Sequence, residues 1–251
     1  MSTQKTALFL GATGGVGFSA LRRSLQAGHR AVALCRTPSK LSSRLPAESQ
    51  NGTLTLVEGN AHHLHAVLQS IISVPGGVDT IVFSIGVYFS LSKFGMEDPT
   101  VCEVGIKTVL SALAQARAEG KVAPDYHPRI IALSSTGISD APGRDIPLAM
   151  VPLYHWMLKV PHKDKKAMET ALIESGEPKW TIVRPSFYVG DAENPKGVRA
   201  GKEDPVAKRV ERKVVGYAIS REDVGKWIFE NLVGDEKRAG EWERRVASIT
   251  N

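Results

Sequence analysis

The stretch Ala7-Leu-Phe-Leu-Gly11-Ala-Thr-Gly14-Gly-Val-Gly17 decides the fold. An apolar run from Thr6 to Leu10 reads as a buried strand, and the apolar periodicity from Val16 to Ala27 reads as a helix. Three glycines at GxxGxxG spacing join them. At such a turn a phosphate can approach bare backbone while the first amides of the helix face its negative charge. A strand, a glycine loop and a helix in that order therefore predict a dinucleotide site formed by Gly11, Ala12, Thr13, Gly14, Gly15, Val16 and Gly17.

Working outward, short apolar runs alternate with segments of helical period. Strands are expected at Thr6–Leu10, Ala31–Cys35, Leu54–Glu58, Thr80–Ser84, Ile130–Ser134 and Thr181–Arg184, and their unbroken apolar character suits strands covered on both faces. Helices are expected at Val16–Ala27, His62–Ser73, Val101–Glu119, Asp164–Ser175 and Arg221–Leu232. Gly28, Gly120 and Gly176 stand where a left-handed residue would end three of them, and Ser220 stands as an N-cap before Glu222 and Asp223. Repeated βα units of this kind give an α/β Rossmann fold, a doubly wound parallel sheet. No linker divides the first 185 residues, so residues 1–251 are read as a single NAD(P)-binding domain, with residues 187–251 partly forming a small C-terminal substrate-side elaboration. The Gly-, Pro- and charge-rich stretch Asp191–Val206 reads as a loop or lid.

The end of the second strand reads Leu34-Cys35-Arg36-Thr37-Pro38-Ser39-Lys40. An acid here would bind the adenosine ribose hydroxyls of NAD; Arg36 can instead grip a ribose 2′-phosphate, with Lys40 as an auxiliary donor. NADP(H) is the expected cofactor.

With 32 Lys and Arg against 26 Asp and Glu the net charge is +6, but the cations are dispersed, without aromatic interleaving or a nucleic-acid motif. The excess reads as a solvated face that favours a polyanionic cofactor, so no nucleic-acid partner is expected. The two cysteines, Cys35 and Cys102, fall in no metal-ligand spacing, and no metal is expected. No apolar stretch approaches the ~18 residues of a membrane span, and the N-terminus reads without a signal peptide. A cytoplasmic protein with no membrane partner is the expectation, and its oligomeric state is left open.

These motifs resemble the atypical short-chain dehydrogenase/reductases, in particular the NAD(P)-binding group of NmrA-like proteins and biliverdin reductase B-like flavin reductases. The resemblance spans most of the chain. It rests on the glycine loop, Arg36, Ser84-Ile-Gly86, Leu133-Ser134-Ser135-Thr-Gly137, Trp180-Thr-Ile-Val-Arg184-Pro185 and Ile219-Ser-Arg-Glu-Asp223-Val224. It implies that Asn60, where the family commonly has Asp, lies beside adenine. It also implies that Ser84, Ile85 and Gly86 line the ribose and pyrophosphate, and that Pro185 and Ser186 lie near the nicotinamide.

Short-chain reductases commonly use YxxxK, in which a tyrosine transfers the proton and a lysine lowers its pKa. Lys165 matches the lysine and can bind the nicotinamide ribose, but Pro161 occupies the tyrosine position. Ser135, His162, Tyr154 and Tyr188 are the candidate substitutes. Aromatic residues in the segments expected to wall the cleft (Tyr88, Phe89, Phe94, Tyr154, Trp156, Phe187 and Tyr188) suit a flat, aromatic small-molecule substrate. The reading is an NADPH-dependent oxidoreductase passing hydride to a carbonyl, quinone, flavin or other conjugated acceptor. Two alternatives stay open: a non-catalytic NADP(H) sensor of NmrA type, and a redox-neutral enzyme of aromatic secondary metabolism.

Overall fold

The computed structural model describes residues 4–47, 51–86, 98–143, 145–152 and 158–251. Its strands are β1 (Thr6–Leu10), β2 (Arg30–Cys35), β3 (Leu54–Glu58), β4 (Thr80–Phe83), β5 (Arg129–Leu133), β6 (Trp180–Pro185), β7 (Phe187–Tyr188), β8 (Arg199–Asp204), β9 (Arg209–Arg212), β10 (Ala218–Ile219) and β11 (Arg245–Thr250). The helices are α1 (Gly15–Gln26), α2 (Ser39–Ser42), α3 (Leu64–Ile71), α4 (Val101–Ala118), α5 (Lys159–Glu174), α6 (Arg221–Ile228) and α7 (Glu236–Glu241).

Nine strands form one sheet in the order β3-β2-β1-β4-β5-β6-β11-β8-β9, and β7 and β10 pair separately. From β3 to β11 every neighbour is parallel; β8 and β9 join antiparallel. The strand order reverses between β1 and β4, which places the crevice at the carboxyl ends of those two strands. Alternate residues of each strand feed two cores. Phe9, Val82, Ile131 and Val183 pack under α1 and α6, whereas Leu8, Ile81, Ile130 and Ile182 pack under α3, α4 and α5.

The six expected strands are present to within a residue, and Gly28, Gly120 and Gly176 carry positive φ. Ser220 caps α6 by accepting from the Asp223 amide at 3.0 Å. Three expectations change. The Asp191–Val206 stretch is not all loop, because β8 lies within it and pairs with β11. Helix α5 begins at Lys159, five residues before the expected start, because Pro161 falls in the first turn, where its missing N–H leaves no bond unmade. Helix α6 ends at Ile228 and gives way to a π-helical turn over Phe229–Val233.

The glycine loop is held against the end of β4 by close backbone contact. Ser84 donates its hydroxyl to Leu10 O at 2.9 Å. A Cβ on Gly17 would lie 2.3 Å from that hydroxyl oxygen and 2.5 Å from Gly11 O; one on Gly11, whose φ is +91°, would lie 2.8 Å from Ser84 O. Gly14 differs, since it is extended and a Cβ there meets nothing within 4 Å. At the opposite end of the sheet, Glu236 joins α7 to the strands through Lys5 and through Arg129, whose Nη2 is 2.9 Å away.

Two predictions follow from these contacts. Gly17→Ala should destabilise by about 3 kcal/mol or more, as an overpacked site that only backbone could relieve. Gly14→Ala should cost within about 1 kcal/mol, as an N-cap change with open space. Thermal melts of the two variants check this; a Gly17→Ala protein as stable as wild type would contradict the contact. The Lys5 hydrogen bond, against an opposing desolvation and helped by Arg129, depresses the Glu236 carboxyl to about 2. A depressed carboxylate stabilises the fold above its unfolded pKa and loses that contribution as pH falls through the folded value. Wild-type stability should therefore drop between about pH 4.5 and about 2, and Glu236→Gln, less stable at neutral pH, should show a shallower loss in denaturant titrations across that window.

Candidate functional site

The crevice starts at the amino end of α1. Its first amides have no partner within the helix, its N-cap Gly14 offers no side chain, and its first turn carries no acid. Ala12 and Val16 are buried in the core and anchor the loop from below, while Thr13 is exposed. The space in front of Gly14 is what a phosphate needs beside a positive helix end.

Around this loop lie three cations. Arg36 follows β2 and Lys40 lies in α2; both are exposed, and among the described residues neither enters an ion pair. Arg44, which nothing in the sequence singled out, donates Nη1 to Thr13 O at 3.0 Å, and its guanidinium carbon lies 3.4 Å from the Phe18 ring centroid. It thus braces the loop from outside with its charge still exposed. Arg44 and Thr13 are 31 positions apart and form no motif; only the fold brings them together.

After β3, Gly59 is required because a Cβ would lie 2.6 Å from Ala66 Cβ. Asn60 follows, its Oδ1 accepting from the His62 amide at 3.1 Å, so the side-chain oxygen shapes the turn into α3. At the end of β4 the Ser84 hydroxyl is turned inward to the glycine loop, Ile85 contributes its carbonyl, and Gly86 is exposed.

Lys165, on α5, donates Nζ to Ile85 O at 2.9 Å and to Leu133 O at 2.5 Å, so it spans the ends of β4 and β5. An ammonium has three donors, and these two bonds leave one beside the neighbouring Cys102 thiol. Asp164 next to it is buried and accepts from the Cys102 and Glu103 amides, each at 2.9 Å, capping α4 from a neighbouring helix. Burial pushes the Cys102 thiol up to about 11, partly countered by nearby Lys165, so this cysteine is a neutral thiol at physiological pH. His162, one turn before Lys165, places Nε2 3.4 Å from Ser135 Oγ. The structure therefore brings Ser135, His162 and Lys165 together. Tyr154 lies outside the described residues, as do Tyr88, Phe89, Phe94 and Trp156 of the expected walls.

Pro185 and Ser186, expected near the nicotinamide, close β6 at the carboxyl end of the sheet. Both are buried; Ser186 Oγ donates to Thr250 Oγ1 at 2.9 Å and Pro185 O accepts from the Thr136 amide at 3.1 Å. Their polar atoms are engaged within the protein because β11, a strand outside the six expected ones, pairs along β6. Tyr188 is half-buried, with the Arg221 guanidinium 5.1 Å from its ring.

Behind the crevice Arg184 is 1% exposed. Glu169 of α5 receives Nε at 2.9 Å and Nη2 at 2.7 Å, and Glu203 of β8 receives Nη1 at 3.0 Å. Burial alone would depress the guanidinium; the two carboxylates more than offset it and hold it charged. Ser139 also donates to Glu203, at 2.7 Å, so α5, β6, β8 and the loop after β5 meet at one cation.

Comparison with known proteins agrees with this geometry. The model of a family described as NAD(P)H-binding matches residues 11–234. A protein named reductase pytE from Aspergillus terreus is 38% identical, with 99% of each chain covered. One named oxidase pynE from Aspergillus niger is 30% identical, again over 99% of each. Among solved structures, a wide-type short-chain dehydrogenase/reductase from Veillonella parvula in complex with NADP superposes with a TM-score of 0.68 at 17% identity, covering 99% of this chain and 95% of that one. The anaerobillin reductase ChuY from Escherichia coli O157:H7 gives 0.67 at 17% identity, covering 97% and 96%. The open glycine loop, the Rossmann strand order and a family match over most of the chain lead to one assignment: the protein belongs to the NAD(P)H-binding family.

Proposed function

We propose that this chain binds NADPH in preference to NADH and reduces a small conjugated acceptor, such as a carbonyl compound, a quinone or a flavin. The observation that carries the reading is the set of cations around the glycine loop. Arg36 and Lys40 follow β2, Arg44 is bonded to the loop at Thr13 O, and all three are exposed and enter no ion pair among the described residues. Unneutralised cations beside an unencumbered helix terminus suit a polyanion.

The residues fit a nicotinamide dinucleotide. The amides beginning α1 and the space at Gly14 would receive the pyrophosphate, and Arg36, with Lys40 beside it, would take the 2′-phosphate through a charge-assisted fork. Asn60 would face adenine with its amide nitrogen. The third Lys165 N–H would go to a ribose hydroxyl, its other two donors holding the ammonium in place. Bound there, the reduced nicotinamide supplies a hydride, and the protein supplies orientation and the exclusion of competing reactions. The acceptor would lie over the carboxyl ends of β4 and β5, where Ser135 and His162 stand. The reductase name of the Aspergillus terreus relative supports the redox assignment.

Pro161 at the tyrosine position favours a second reading, a sensor that binds NADP(H) without turnover. The two part in a single measurement: NADPH is titrated into the protein by fluorescence, and its oxidation is then followed with quinones, flavins and aromatic ketones. Tight binding with no acceptor reduced would establish the sensor. Arg36→Ala should weaken NADPH about ten- to a hundred-fold and leave NADH nearly unchanged, as expected for one lost contact to a charged group. Equal losses for both would remove the 2′-phosphate role. Gly14→Ala, stable as a fold, should weaken both dinucleotides, because its methyl group enters the space assigned to the pyrophosphate.

A further inference from the structure

We propose that Ser135 and His162 form a proton relay that takes the place of the family's tyrosine, Ser135 giving the proton to the acceptor and His162 restoring it. The inference rests on the reductase reading above.

The direction of the relay follows from hydrogen-bond supply. The Ser135 hydroxyl donates to Thr136 O at 3.1 Å, and a hydroxyl has one proton. With that proton on Thr136 O, Ser135 accepts from His162, 3.4 Å away, and the relay requires the proton on Nε2. The distance is long for a hydrogen bond, as pairs awaiting a substrate often are. Both side chains are half-buried, and α5 holds the imidazole at its first turn, where the His162 amide donates to Leu158 O at 2.8 Å.

Position supports the same assignment. Lys165 Nζ is bonded to Leu133 O, two residues before Ser135, and His162 precedes Lys165 by three residues on the same helix. The lysine and the pair therefore bracket the end of β5, where a carbonyl acceptor would meet the nicotinamide. Hydride delivered to the carbonyl carbon breaks the carbon–oxygen π bond and leaves an alkoxide. The Ser135 proton turns from Thr136 O to the alkoxide and forms the alcohol. Its Oγ is reprotonated from Nε2 of the imidazolium, which becomes neutral and is recharged by a proton from solvent. The sum is ketone, reduced nicotinamide and one proton giving alcohol and oxidised nicotinamide.

The test uses His162→Ala, His162→Gln and Ser135→Ala in the full chain, with isatin, an aromatic α-dicarbonyl, as probe. All three should keep wild-type melting temperature and NADPH affinity, measured by fluorescence, and should reduce isatin about a hundred-fold more slowly or worse. Added imidazole should restore His162→Ala in part and leave Ser135→Ala slow. Nitrogen-15 spectra of labelled histidine, assigned through the His162 variants, should show Nε2 of His162 protonated at neutral pH and shifted by Ser135→Ala. A His162 variant turning over at the wild-type rate, imidazole rescuing both sites alike, or Nε2 found unprotonated would each overturn the relay. Wild-type protein that binds NADPH but reduces neither isatin nor any other acceptor would instead remove the reductase reading itself, and the relay with it.

Discussion

A guanidinium with 1% of its surface exposed has to be neutralised, and the carboxyl-terminal half of this chain is arranged around meeting that need at Arg184. Desolvating a charge of this size costs several kcal/mol, recovered only if the partners are close and well aligned. Glu169 supplies a bidentate contact from α5 and Glu203 a single contact from β8. Neither element could move without stranding a buried charge. The antiparallel strand β8, whose residues Arg199-Ala-Gly-Lys-Glu-Asp204 have little apolar reason to join a core, is thereby tied to the sheet. The loop after β5 joins through Ser139. Fold and crevice are coupled here, because the helix that brings Glu169 to Arg184 also carries Lys165 and His162.

The other side of the crevice is governed by an absence of side chains. Gly11 and Gly17 let the backbone of the loop lie against Ser84, and Gly14 leaves the outer surface bare. Two glycines serve packing and one serves access, although all three look alike in the GxxGxxG pattern. Charge then follows geometry. Arg44 spans the outer side of the loop by a hydrogen bond and a ring contact, so that a loop without side chains still has a lateral brace.

What could be read from sequence divides along the same physical lines. Strands β1, β2, β4, β5 and β6 are buried on both faces and announce themselves as apolar runs, and the edge strand β3 keeps enough apolar residues to be read as well, so all six fall within a residue of their expected bounds. Strands β8 and β9 at the sheet edge are polar, with β9 exposed throughout, and periodicity alone could not find them. Strand β11 is buried after Arg245, but its apolar residues are interrupted by Ser248 and follow no expected helix–strand unit. It pairs along β6, and Ser186 at the end of that strand is bonded to its Thr250. The glycine loop was legible because its chemistry is local. Arg44 was not, since its role depends on a contact across 31 residues.

Helix α5 shows why the missing tyrosine leaves a coherent arrangement of residues. A proline deep in a helix would cost about 3 kcal/mol, but Pro161 lies in the first turn, where no backbone bond is lost. The helix can therefore begin at Lys159 and include His162. From there the spacing of three and then four residues puts His162, Lys165 and Glu169 on one stripe. Each meets a different point of the sheet: His162 meets Ser135 beyond β5, Lys165 bridges Ile85 and Leu133, and Glu169 holds Arg184 of β6. A stripe of three polar residues is invisible to a search for apolar periodicity, yet it sets the height of the helix over the strand ends. Anchored below by the buried ion pair and in the middle by two carbonyls, the stripe leaves His162 at its upper end, beside the crevice.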